Sequence, residues 1–137
     1  MTPSVVDLVL QDSGAPWRSQ APGEWGLSLP DVDGWPLDIG LRLTGTVPEL
    51  LRIQAEACGP AGAPDPHWLL HRNRLGELVR YTHSSAGAVW VQAEVPAAAL
   101  SAELLERVLV LVVEAAAAAR AAGAARAAAA PARGPRR

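Results

Sequence analysis

The sequence predicts a single α+β domain in which helices pack on an antiparallel sheet. Three observations carry that reading. The hydrophobic pattern changes period along the chain in the order helix, three strands, short helix, two strands, long helix. At 137 residues, the chain is long enough to bury roughly two thirds of the surface its unfolded form exposes. Half of the residues are hydrophobic and only 19% are charged, which is the composition of a globular chain and not of a disordered one.

The elements follow in order. Thr2 is suited to cap a first helix with Pro3 at its first position, and Gly14 to end it in a left-handed conformation, which gives a helix over residues 3–13. A short strand is expected over 24–29, followed by the turn residues Pro30-Asp31-Val32-Asp33-Gly34. Leu37, Ile39, Leu41 and Leu43 then alternate with Asp38, Gly40, Arg42 and Thr44, the period-two signature of a strand buried on one face. Leu51, Ile53, Ala55 and Ala57 repeat it against Arg52, Gln54 and Glu56. A Gly- and Pro-rich loop leads to Asp65-Pro66, a cap and a first-turn proline that open a short helix over 67–74, closed near Asn73 or Gly76. Residues 77–83 and 88–95 read as a hairpin joined by Ser84-Ser85-Ala86-Gly87. Ser101 caps the last helix, Leu100 can pack on Leu105, and the helix is expected to run to about Ala122, with the Ala and Arg segment beyond Gly123 able to prolong it for a turn or two before it frays.

Residues 1–122 therefore form the domain, and residues 123–137 read as an Ala, Arg and Pro-rich basic tail, partly disordered. Charge divides at nearly the same point. Residues 1–120 hold 8 Arg and 14 acids, a net of −6, whereas residues 121–137 hold 4 Arg and no acid. All 12 basic residues are arginine, which fits the codon bias of a GC-rich genome. The single cysteine, Cys58, cannot form an intrachain disulfide and fits a reducing compartment. The first ten residues carry no basic n-region and place Asp7 within their short apolar run, so no signal peptide is expected. The most apolar run, 108–119, is interrupted by Glu114 and falls short of the roughly 20 residues that cross a bilayer. The expected location is cytoplasmic.

No constellation of polar residues supports turnover, a cofactor or a metal. His67 and His71 are four apart on one predicted helix, but the Glu of a His-Glu-x-x-His motif is missing. Asp31-x-Asp33-Gly34 resembles a calcium loop, yet Arg42 stands where an EF-hand needs its bidentate Glu. Cys58 lies at a strand end before Gly59-Pro60 with no adjacent base. P-loop, dinucleotide and nucleophile-elbow motifs are absent. The chain reads as a non-enzymatic binding module.

Two features point to an association surface. Leu104, Val108, Leu111 and Ala115 make one apolar stripe on the last helix, while Leu105, Leu109, Val110, Val112 and Val113 wrap most of the remaining circumference. A single sheet cannot cover them all, so a second surface is expected to pack there. Trp90 alternates with Val89 and Val91 and is placed on the face opposite the core, next to Leu78 on the paired strand.

The segment order, together with Trp68-Leu69-Leu70, Asn73, the 75–81 and 89–95 strands, Pro96 and the Leu104-Leu105 helix, resembles the YbjN family and its structural relatives, the type III secretion chaperones. The resemblance covers nearly the whole chain and rests on pattern. It implies a type III secretion chaperone-like fold and a small, non-enzymatic, usually dimeric protein that binds other proteins, with roles linked to bacterial stress responses in the YbjN branch. Carried onto this sequence, it implies a dimer contact near Trp68, Leu78 and Trp90, and a partner surface near Val5, Val9, Trp17, Trp25 and Leu27. The secretion chaperones are typically more acidic than this chain, and a basic tail is no part of their pattern. The alternative reading is an accessory nucleic-acid-binding protein using Arg72, Arg74, Arg80, exposed aromatics, and Arg126, Arg133, Arg136 and Arg137 of the tail. The acidic body weighs against it, because such binding needs a concentrated basic face.

Overall fold

The computed structural model describes residues 4–130. Three helices, α1 (Val5–Asp12), α2 (Pro66–Leu75) and α3 (Ala102–Ala129), accompany six strands: β1 (Trp17–Ala21), β2 (Glu24–Val32), β3 (Trp35–Leu43), β4 (Leu50–Cys58), β5 (Arg80–His83) and β6 (Val89–Pro96). The strands form one antiparallel sheet in the order β1-β2-β3-β4-β6-β5. The connection through α2 carries the chain past β4 so that β6 pairs with β4, and β5 becomes the outer edge.

The predicted alternation decides which face is buried. Trp25, Leu27, Leu37, Ile39, Leu41, Leu51, Ile53, Ala55, Val89, Val91, Ala93 and Val95 join Val6, Val9 and Leu10 of α1 and Leu105, Val108, Val112 and Ala116 of α3 in one core. The other face of the sheet carries polar side chains and glycine. One row runs straight across it: Arg18, Gly26, Gly40, Gln54, Gln92 and Arg80 are successive cross-strand partners. Antiparallel sheets tolerate such a solvated face.

Local chemistry moves several expected boundaries. The first helix is capped by Ser4, whose hydroxyl accepts from the Asp7 N–H while the Asp7 carboxylate accepts from the Ser4 N–H, a capping box. Thr2 and Pro3, the expected cap and first residue, lie outside the described residues. Gly14 takes φ +72° just beyond that helix, as expected. The Trp17–Ala21 strand was not anticipated, because its five residues show no apolar alternation; it forms by pairing with β2. The Asp33-Gly34 pair, both at positive φ, turns β2 into β3 as a two-residue hairpin closed by Val32 opposite Trp35. The strand predicted to start at residue 77 starts at Arg80, because Leu78 sits at φ +60° and interrupts the extended run.

The last helix passes its expected end near Ala122 and continues for about two more turns to Ala129, with Gly123 helical and buried. By length and composition this helix is able to cross a bilayer. In the structure its apolar side packs on β4, β6 and α1, with Leu105, Val108, Leu109, Val112, Ala116 and Ala119 buried, so it serves as the core helix.

Candidate functional site

The three residues first assigned to a dimer contact do not share one surface. Trp68 lies on α2 against Tyr81, with ring centroids 5.6 Å apart, and the Arg72 guanidinium covers its ring at 5.3 Å. Tyr81 is buried beneath, its hydroxyl donating to the Ala115 carbonyl of α3 at 2.6 Å, and burial pushes its phenol pKa up. Trp90 occupies the opposite, polar face, flanked by Glu56 of β4 and Thr82 of β5. Its cross-strand neighbour is therefore Thr82 and not Leu78. Leu78 stands before the strand, 57% exposed.

The other candidates divide by depth. Val9, Trp25 and Leu27 are core residues, each below 8% exposed, so a partner cannot meet them in this structure. Trp25 is also held from its polar end, since its indole N–H donates to Asp7 Oδ1 at 3.0 Å. That bond and those from Ser4 lower the Asp7 pKa. Val5 and Trp17 are half-buried at the rim of the same cluster. Beside them Leu8, on the outer side of α1, is 52% exposed. The β1 strand forms one free edge of the sheet.

The opposite edge is built differently. The Asn73 side chain accepts from the Tyr81 N–H at 2.7 Å and donates to the Tyr81 carbonyl at 3.1 Å. It thus occupies the outward backbone groups of Tyr81, which another strand pairing with β5 would use. The structure exposes large apolar side chains that the sequence did not single out as a site. Leu70 and Leu75 of α2 and Val110 of α3 join Leu78 among the exposed hydrophobics. Leu75, Val79, Leu111 and Ala115 line a groove of about 220 Å³ between α2, the segment entering β5 and α3, with Arg72, Arg80 and Glu114 beside them. The all-round apolarity of the last helix was the only trace of it in the sequence.

Polar groups elsewhere serve the fold. Asp31 Oδ1 accepts from the Gly34 N–H at 2.7 Å and so closes the β2–β3 turn. His67 is exposed beside Asp65, the cap of α2, and His71 is also exposed. Among the described residues no group of three or more His, Cys, Asp or Glu side chains is placed to hold a metal ion. Burial raises the Cys58 thiol pKa, and the neighbouring Arg120 offsets this only in part. Arg80 and Arg52 both bind Glu94, at 3.0 and 3.3 Å, across the polar face, and Arg72 covers Trp68. These three arginines are therefore engaged within the molecule.

The architecture is that of a type III secretion chaperone-like fold. The crystal structure of the ExsC-ExsE complex contains a chain that superposes with a TM-score of 0.63 at 19% sequence identity, over 85% of this chain and 89% of that one. No protein-family model and no curated protein matches the sequence.

Proposed function

We propose that this chain is a non-enzymatic protein-binding module, chaperone-like or adaptor-like, that works as a cytoplasmic homodimer. The single observation that carries the proposal is the apolar groove lined by Leu75, Val79, Leu111 and Ala115 beside the β5 edge, with Leu75 itself exposed and Leu78 exposed in the segment that enters β5. An apolar groove with exposed leucine beside it calls for a partner. A second copy is the occupant assigned here, with Trp68 and Leu78 of the original dimer set at its border and Trp90 excluded by its place on the other face. A partner segment is assigned to the opposite end, along α1 and the free edge of β1, where Leu8, Val5 and Trp17 offer apolar contact and the strand offers unpaired backbone groups. The solved neighbour is a complex, which supports a binding role. The resemblance to the YbjN branch extends the reading to bacterial stress responses.

The test is light scattering on the full chain, with Leu75→Asp/Leu78→Asp as the perturbation. Burial of a leucine stabilises by about 1.5–3 kcal/mol, so the double variant is expected to weaken dimerisation by well over tenfold while keeping its thermal unfolding. Trp90→Ala is expected to leave the dimer intact. A wild-type chain that stays monomeric at hundreds of micromolar sinks the dimer, and a Trp90→Ala monomer moves it to the polar face.

A further inference from the structure

A second groove, of about 420 Å³, lies at the far end of α3 from its cap. One wall is the β2–β3 hairpin tip, with Asp33 and Trp35; another is the small-residue face of α3, with Ala124 and Ala127; Gly59 and Gly62 complete it. Trp35 is 70% exposed, the most exposed aromatic residue among the described residues. The local charge is negative. Asp33 stands in the groove, Asp31 precedes it in the same turn, and Asp38 and Glu56 line an adjoining depression that shares Ala57, Cys58, Gly59 and Arg120 with it. Arg120 is the one cation there. Its guanidinium donates to the carbonyls of Ala57, Val32, Trp35 and Pro36 at 2.7–3.0 Å, so its N–H groups are committed to the fold.

We propose that residues 131–137 of this same chain dock in that groove, with an arginine over the Trp35 indole and against the Asp33 carboxylate. Two facts select this occupant. The first is reach. Ala127 lines the groove and α3 ends two residues later, so the chain leaves the helix within about 5 Å of it along the axis. The helix closes at its C-cap Ala130, and a seven-residue segment can span about 23–25 Å when extended, enough to reach Trp35 across the groove that Ala127 also lines. The second is charge. Those residues read Pro-Ala-Arg-Gly-Pro-Arg-Arg, three cations and no acidic side chain, against four carboxylates. Covalent attachment supplies a local concentration in the millimolar range, so weak contacts suffice, and a guanidinium over an indole is a favourable one.

The experiment is limited trypsin digestion of the full chain, following cleavage after Arg133 by mass spectrometry at low salt and at high salt. Wild type at low salt is expected to be cut about fivefold more slowly than Trp35→Ala or Asp33→Asn, a ratio matching one such contact. Asn tolerates the left-handed backbone at position 33, so Asp33→Asn removes charge without unfolding the turn. High salt should erase the difference by screening. Equal rates in wild type and both variants at low salt overturn the proposal. Protection that rises with protein concentration also overturns it, since the tail would then sit on another copy.

Discussion

Gly123→Ala is expected to destabilise this protein, against the ordinary effect of the exchange. In a helix interior alanine is favoured over glycine by about 1 kcal/mol. Here the glycine faces backbone: a Cβ at position 123 would overlap the Gly62 carbonyl oxygen and stand 2.9 Å from its carbon, where carbon atoms normally approach to about 3.5–4.0 Å. The obstruction is a 3-10 turn (Pro60–Gly62) held by its own hydrogen bonds, so it cannot yield as a flexible side chain does. Overpacking costs about 1–3 kcal/mol and more when backbone must move, which outweighs the propensity gain. The net expectation is about 1–2 kcal/mol of destabilisation, or a melting temperature lower by about 3–8 °C for a chain of this size. Thermal unfolding by circular dichroism at 222 nm measures it. Ala121→Gly, at an exposed position one residue before Ala122, provides the control and should cost about 1 kcal/mol from propensity alone. A Gly123→Ala protein that melts higher than wild type refutes the close-approach argument.

Other outcomes follow from single side chains. Asn73→Ala removes both bonds to Tyr81 and is expected to cost about 1–3 kcal/mol, and turbidity on mild heating should rise because the β5 edge is uncovered; an unchanged melting temperature and clear solutions would count against the cap. Arg120→Met strips donors from four carbonyls that join the β2–β3 hairpin and the end of β4 to α3. A loss of about 2–4 kcal/mol in urea unfolding is expected, and Arg120→Lys should not restore it, since one ammonium cannot reproduce the planar fork. The pKa of Asp7 is held below that of an unfolded aspartate by Trp25 and Ser4. Its contribution is therefore complete above the unfolded value of about 3.9 and is lost as pH falls through the lower folded value. The Trp25 indole N–H resonance should shift in that acid range in wild type and stay flat in Asp7→Asn; a midpoint above the ordinary aspartate value would contradict the assignment.

Much of the fold was legible because its signals are local. Period-two alternation in residues 37–43 and 51–57 and the Asp65-Pro66 and Ser101 starts depend on neighbours a few positions away, and each is found where it was read. The site was far less legible. Trp25 and Leu27 look as available as Trp35 in a one-dimensional pattern, and only the packing of the helices on one face of the sheet buries the first pair and leaves the last at a hairpin tip. Leu78 and Trp90 were paired by assuming that the strand begins at residue 77, whereas a positive φ at Leu78 delays it.

What the sequence determined alone is the α+β class, the order of the elements apart from β1, the buried face of the strands, the lone thiol and the separation of an acidic body from a basic end. These are properties of residue type and short spacing, which sterics and hydrophobic burial convert directly into local structure. Tertiary structure decided strand order, the bonds from Asn73 to the β5 edge, the close approach of Gly62 to Gly123, and the surfaces on which hydrophobic residues remain. Each of those depends on which distant backbone comes to lie alongside: Gly62 against Gly123, Tyr81 against Asn73, Glu56 against Trp90. Nothing in the local sequence marks Gly123 as a point of contact; only the fold brings a carbonyl 61 positions away in the sequence into the space its side chain would have filled.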